Sequence, residues 1–457
     1  MFQSIRDHLT KQLAKLRSRF GQVKELPLGD VVPLEVVEQV VQDTVGPHRN
    51  RVFPPLVTLS TFIQQVLTSE QSCQKAVDQV VAERVAQGQA PCSSDTGAYC
   101  RARDRLPAEL IERLMQTTGP ALEAQAEVAW RWKGRVVKLV DGTTVTLPDT
   151  PANQAEYPQA TSQASGVGFP QARLVGVLSL ATGAVHGVAI GPCQGKQTGE
   201  HALLRQLTDH LAAGEVVLGD KYYSSYWCLA ELQQRGVDGV FPLHGSRHSQ
   251  LRAGQEEAVV TWDKPKQRPA WMDAATYQRM PATLTVREIR AKKGILVTTL
   301  VDVKAYPRKA ILRLYKQRWH VEIDLKFIKA VMRMGELRCK TPALIRKEIL
   351  IHLLAYNLVR LVMAQAAKRS GRVPCTLSFS GALHALTAFQ AKGLLDAGQS
   401  LILRYEHLFR SLIRHRIGNR PGRVEPRAVK RRPSKYPFLT KPRQQARDEL
   451  LQNLQYA

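Results

Sequence analysis

What most restricts the fold of this chain is the order of its apolar runs between Arg135 and Leu243. "RVVKLVDGTTVTL" reads as a strand, a turn at Gly142 and a second strand, and "ARLVGVLSLATGAVHGVAIGP" as two more strands around Thr182-Gly183. "GEHALLRQLTDHLAAGE" has the period of an amphipathic helix closed by Gly214, and "VVLGD" is a short, wholly apolar strand of the buried parallel kind. A helix from Ser224 to Gly236 then leads to "DGVFPL". Hairpin strands, helix, strand, helix, strand is an α/β order. It sets Asp141 and Asp220 at strand ends, where a sheet delivers side chains to a site.

The flanking texture divides the chain. Residues 1–125 read as helical, with apolar three-and-four spacing over Leu34 to Val45 and Ser60 to Val85. Arg101, Arg103 and Arg105, just before Leu106-Pro107, form a basic helix end or loop suited to phosphate. Residues 126–370 hold the α/β core. Within them 244–294 is a polar insertion whose runs "EAVVTW" and "ATLTVREIR" predict a small β-rich subdomain; "ILVTTLV" restores a strand and a long helix follows Pro307. Residues 371–457 begin helical and end in a proline-broken tail. From Arg414 to Arg447 that tail carries twelve Lys/Arg against one acid, Glu425, which predicts an extended arm that orders on a polyanion.

Charge narrows the partners. Lys and Arg total 65 against 39 Asp and Glu, a net +26, which fits nucleic acid. A membrane role is not expected: Ile349 to Ala367 is apolar but interrupted by His352, Asn357 and Arg360, as in a buried core helix. No signal-peptide run follows the basic N-terminus, so the expected site of action is the cytoplasm. Seven cysteines form no C-x-x-C pair, and no His pair at zinc spacing accompanies them. Carboxylates are then the expected ligands of any metal. "GPCQGK" falls short of a P-loop, with three residues between its glycines and Gln197 where Ser or Thr is required.

Two carboxylates delivered side by side resist joint ionisation unless a divalent cation lies between them. A third comes from "YKQRWHVEIDLKFIK", where Tyr315, Arg318, Glu322 and Lys329 fall within a wedge of roughly 60° on a continuous helix. That face offers an acid, two cations and a phenol. Arg318 and Lys329 suit phosphates, and Tyr315 suits a sugar, a base or a phosphate.

The spacing Y-x2-R-x3-E-x6-K resembles the signature of one branch of the DDE transposases of bacterial insertion sequences. "VDGTTV" and "LGDKYYSSY" are similar to the blocks that hold their first and second Asp, here Asp141 and Asp220. "SCQKAV", "ARDRLP", "GFPQARL", "LRCKTP", "LLAYNLVR" and "NRPGRVEPR" extend the likeness over roughly residues 60 to 445. The resemblance implies a ribonuclease-H-like core carrying the β-rich insertion, with a DNA-binding N-terminal domain. It implies Asp141, Asp220 and Glu322 as catalytic residues and ligands of two Mg²⁺ ions, with Mn²⁺ as the substitute. The activity implied is cleavage at element ends and strand transfer into target DNA, by cut-and-paste. Double-stranded DNA, terminal repeat and target, is the implied partner, a homodimer the form that pairs two ends, and the bacterial nucleoid the place. Lys221 stands where the family often has Arg and is carried over as a phosphate contact. In relatives an aromatic residue of the insertion stacks on a flipped base, and Trp262 and Trp271 are the two candidates. A nuclease or resolvase with the same core, and a transposase-derived binding protein without activity, are the alternatives; all three acids are present.

Overall fold

The computed structural model describes residues 34–48, 51–86, 88–393, 401–417 and 439–455. The expected basic arm falls largely on residues 418–438, outside the described ones. Among the described residues five α-helices precede the sheet: α1 (Leu34–Thr44), α2 (Pro55–Leu67), α3 (Cys73–Ala86), α4 (Gly97–Arg105) and α5 (Ala108–Ala124). Of the two forms expected for the basic segment at Arg101 to Arg105, a helix end or a loop, the structure has the helix end.

β1 (Val137–Thr146) then runs unbroken through Asp141 and Gly142. The turn expected at Gly142 does not form, because Lys138 to Thr146 stay paired with antiparallel β2 (Gln171–Ser179), Asp141 opposite Gly176. Asp141 is therefore a mid-strand residue. What stops near it is pairing on the other side of β1, where parallel β4 (Val216–Leu218) reaches only Leu139, opposite Leu218. Beyond that point the two strands part. Continued by two residues, the same register sets Asp141 level with Asp220.

The other connections follow the expected order. α6 (Pro151–Glu156) lies between β1 and β2, and β3 (Val185–Pro192) returns beside β2 after a turn at Gly183, whose φ of +74° suits glycine. α7 (Glu200–Arg205) stops well short of Gly214 and gives way to a 3₁₀ turn at Thr208–His210. α8 (Tyr226–Gln234) connects β4 to β5 (Asp238–Pro242), parallel neighbours. The insertion supplies β6 (Glu257–Asp263), α9 (Ala274–Arg279) and β7 (Thr283–Ala291), followed by β8 (Gly294–Thr298). It does not stand apart as a separate sheet. β8 pairs antiparallel with β5, giving one eight-stranded sheet in the order β3-β2-β1-β4-β5-β8-β7-β6.

The helix expected after Pro307 is divided into α10 (Arg308–Lys316) and α11 (Trp319–Lys326). Tight i→i−3 bonds join them, Arg318 N–H to Tyr315 O at 3.0 Å and Val321 N–H to Arg318 O at 3.0 Å, and Phe327–Val331 widens into a π turn. α12 (Pro342–Arg369), α13 (Phe379–Gly393), α14 (Leu401–Arg414) and α15 (Arg443–Gln455) complete the described chain.

Alternation along β1 sends neighbouring side chains into two cores. Leu139 joins Leu218, Val240, Ile311, Val321 and most of α12, and this cluster continues into Phe62, Leu110 and Ile111 of the N-terminal helices. Val140 joins Val217, Leu203, Tyr223, Leu229 and Val297 on the opposite face. α12 is long and apolar enough to cross a membrane by length and composition, but 89% of its apolar window is buried inside the protein. Asn357 is matched there, accepting from Val185 N–H at 2.8 Å and donating to Val185 O at 2.8 Å.

Candidate active site

The gap where β1 and β4 part is the structural origin of the site. Asp141 projects into it from β1, its Oδ1 accepting from the Gly142 N–H at 2.9 Å. Asp220, two residues past β4, caps the short turn Lys221–Tyr223 by accepting from the Tyr222 N–H at 2.8 Å. Its carboxylate is therefore held at the mouth of the gap. Over the same gap lie α10 and α11. Arg318, at their junction, donates to Glu322 at 2.5 Å and stands 3.7 Å from Asp141 Oδ2, so one guanidinium spans two carboxylates from separate elements.

Tyr315 and Lys329 reach the same strands. The Tyr315 hydroxyl donates to Gly219 O at 3.3 Å, on the chain entering Asp220, and Lys329 donates to Thr143 Oγ1 at 3.0 Å, two residues past Asp141. The bend between α10 and α11 and the π turn that contains Lys329 preserve the common facing expected of a straight helix. Burial pushes the Tyr315 phenol up to about 12, with Asp220 and Asp141 adding to it, and burial lowers Lys329. Burial also pushes Asp141 up to about 6; the Gly142 N–H and Arg318 oppose this, while Glu200 and Asp220 reinforce it. Asp141 thus lies in a cluster with more acids than cations.

Glu200 was not legible as a site residue. It opens α7 on the other face of the sheet, and its carboxyl lies against Gly142: a Cβ built there would stand 2.4 Å from Glu200 Cδ and Oε1. The buried Tyr223 hydroxyl donates to its Oε2 at 3.2 Å. An acid in the first turn of a helix is ordinary, so nothing local distinguished it. Only the close approach over Gly142 does.

The remaining expectations separate. Lys221 is exposed beside Asp220. Arg101 and Arg105 are exposed on α4, but Arg103 is not available to DNA. It is 7% exposed, packed over the Phe62 and Tyr99 rings, with Cys73 Sγ at 3.2 Å and Cys100 Sγ at 3.6 Å. Trp262, 1% exposed, is likewise a core residue, its indole donating to Glu288 at 3.4 Å beneath the Arg247 guanidinium. Trp271 is half-buried at the edge of a cavity of about 200 Å³ with His201, Arg205, Trp227 and Glu231, and Arg205 stacks 3.8 Å above its ring.

Among the described residues no three His, Cys, Asp or Glu side chains already converge as a metal cage. The donor chemistry nonetheless fits a hard divalent cation, since Asp141, Asp220 and Glu322 offer only carboxylate oxygens.

Residues 132–358 match the family model described as "Transposase DDE domain", a span that holds all three acids. The whole chain is also similar to a curated protein, the transposase InsG for insertion sequence element IS4 of Escherichia coli (strain K12). Identity is 27% over 448 residues, 94% of this chain and 98% of the relative. The chain belongs to the DDE transposases. It is thus a DNA transposase of the insertion-sequence kind, an enzyme that cleaves and joins DNA, and its family generally uses divalent metals. The cryo-EM structure of a piggyBac transposase synaptic complex with hairpin DNA is similar to this transposase at a TM-score of 0.42 and 10% identity, over 88% of this chain and 86% of that one.

Proposed function

We propose that Asp141, Asp220 and Glu322 are the catalytic acids of this transposase and hold two Mg²⁺ ions, or Mn²⁺ in their place, in a ribonuclease-H-like core formed by β1 to β5 and the helices on both faces. The observation that carries this is the bridge at Arg318, which brings Glu322 of α11 to Asp141 of β1 where β1 and β4 part. Divalent cations bound there supply Lewis acidity, lowering the pKa of the attacking water or 3′-hydroxyl and stabilising charge on the leaving oxygen.

The protein groups do the rest. Arg318 exchanges its carboxylate contacts for a phosphate oxygen when DNA enters, releasing Glu322 toward the two Asp residues. Lys329 and the exposed Lys221 hold flanking phosphates, and Tyr315 orients the sugar-phosphate chain from its place on Gly219. Trp271 is the aromatic of the insertion suited to a displaced base, because Trp262 is sealed in the core.

The reaction is cleavage at the ends of an insertion sequence followed by strand transfer into target DNA, by cut-and-paste. The helices of 1–125 read the element's inverted repeats through the exposed Arg101 and Arg105. Residues 126–370 form the catalytic domain, and 371–457 a helical region with a basic arm against target DNA. Two copies pair two ends at the bacterial nucleoid. The test is strand transfer on paired ends by Asp141→Asn, Asp220→Asn and Glu322→Gln. Each is expected to lose joining by about 10³-fold or more while retaining end binding in a gel-shift assay. Cleavage without joining by the unmodified chain would favour a nuclease, and full joining by Asp220→Asn would remove the assignment.

A further inference from the structure

The three acids do not exhaust the carboxylates that meet at the gap between β1 and β4. Glu200 comes to it from the opposite face of the sheet, and what admits it is the lack of a side chain at Gly142. On β1, Asp141 turns to the face of α11 and the next residue to the face of α7. Any residue larger than glycine at 142 would push the Glu200 carboxyl off the strand. Gly142 has no positive φ that would call for glycine on backbone grounds, and the chain runs straight through it as strand. Its smallness serves a close approach, and the group that approaches is an acid.

That acid is also held in place. The Tyr223 ring is fully buried between the sheet and α7, and its hydroxyl donates to Glu200 Oε2. Tyr223 lies three residues past Asp220, in the turn that Asp220 itself caps. Glu200 is therefore tied at one end to the segment of the second Asp and rests against the strand of the first. Among the described residues no ion pair is formed by Glu200, whereas Glu322 on the other side has Arg318. Bringing an uncompensated carboxylate to two others is unfavourable unless a cation shared by them offsets the repulsion.

From this arrangement we infer that Glu200 is a fourth metal-binding carboxylate of this transposase, acting with Asp141 and Asp220 on the cation held where β1 and β4 part, with Gly142 as its window and Tyr223 as its positioning residue. The inference rests on the assignment of Asp141 and Asp220 above. The carboxylate set is then lopsided: Glu322 enters from α11 and exchanges its partner Arg318, whereas Glu200 enters from α7 already fixed by a neutral hydroxyl.

Mn²⁺ titration of the full-length chain followed by electron paramagnetic resonance tests this without reliance on activity. Glu200→Gln keeps the shape and the Tyr223 contact but lowers the charge, and is expected to weaken Mn²⁺ binding by about 10- to 100-fold, the range for loss of a group that supports a metal site. Gly142→Ala keeps every charge and displaces the carboxyl, and is expected to weaken binding in the same direction. The Mg²⁺ concentration for half-maximal end nicking should rise by a similar factor in both, with the rate recovering at high Mg²⁺. Wild-type Mn²⁺ affinity in both variants, with binding lost in Asp141→Asn, would overturn the role of Glu200 and leave the three acids standing. Wild-type affinity in Asp141→Asn as well would overturn the site itself. A lowered nicking rate at unchanged Mg²⁺ dependence would assign Glu200 a structural role instead, against the inference.

Discussion

Glu322 and Asp324 lie two residues apart on α11, each beside an arginine, yet they belong to different kinds of environment. Asp324 turns inward to Arg360, and both side chains are sealed, at 6% and 4% exposure. The same guanidinium donates to the Tyr356 hydroxyl at 2.7 Å and lies near the Phe327 and Phe379 rings, so the pair is closed: one acid, one base, no access. Glu322 turns outward to Arg318 at 35% and 18% exposure, and Arg318 is shared with Asp141. That cluster is open, and it has acids to spare. A helix can thus present a fixed ion pair to the core and an exchangeable one to a ligand from a single turn. What separates them is whether every charge already has its own counter-charge.

The largest expected effect breaks the closed pair. Asp324→Ala leaves Arg360 buried without its carboxylate and should cost about 3–5 kcal/mol of folding free energy, read by urea denaturation. Glu322→Ala should cost about 1 kcal/mol or less by the same measurement, because the pair is part-exposed and Arg318 keeps Asp141. Equal losses would erase the distinction between the two environments.

A smaller effect tests the surplus of acid in the open cluster. Burial, together with Glu200 and Asp220, raises Asp141 to about 6 from an ordinary 3.8. For a carboxylate the sign is then unfavourable: the penalty is absent below the unfolded value, grows between pH 4 and 6, and is full above that. Removing the charge with Asp141→Asn should therefore stabilise the metal-free chain at pH 7 by on the order of 1–3 kcal/mol, while abolishing strand transfer. The gain should vanish near pH 4 in thermal melts run across that range. A variant less stable than the parent at pH 7 would mean that Arg318 already compensates Asp141.

How far the sequence carried the reading follows from the range of the forces involved. The order of strands and helices from β2 to β5, the facing of Tyr315, Arg318, Glu322 and Lys329, and the reading of α12 as a core helix rest on local periodicity, and the structure has them. Asp141 was placed near the right partners for a wrong local reason: the glycine after it resembled a turn, whereas pairing with β2 holds the strand straight. Arg103 and Trp262 looked like surface residues because their types suit DNA. Their distant partners, the Cys73 thiol on α3 and Glu288 on β7, come from elsewhere in the chain, and only packing reveals them. Glu200 escaped for the same reason, since its relation to Gly142 spans 58 residues.

The arginines of α4 repeat the contrast of closed and open at the smallest scale. Arg103 has aromatic rings on its face and thiols at its edge, an environment with no room for a phosphate. Arg105, two residues on, is exposed at the rim of a groove that the exposed Arg51 and the half-buried His48 also line, so two guanidiniums face solvent there. Neutralising a phosphate contact lowers the salt slope of DNA affinity by about one unit, whereas removing a packed residue lowers stability and leaves the slope alone. Arg105→Ala should therefore reduce the slope of log K against log salt by about one for end DNA, at unchanged melting temperature. Arg103→Met should lower the melting temperature and leave the slope of the folded fraction intact. Were the two variants to exchange these outcomes, α4 would meet DNA through the face now packed on Phe62, and α4 would have to separate from α2 to bind.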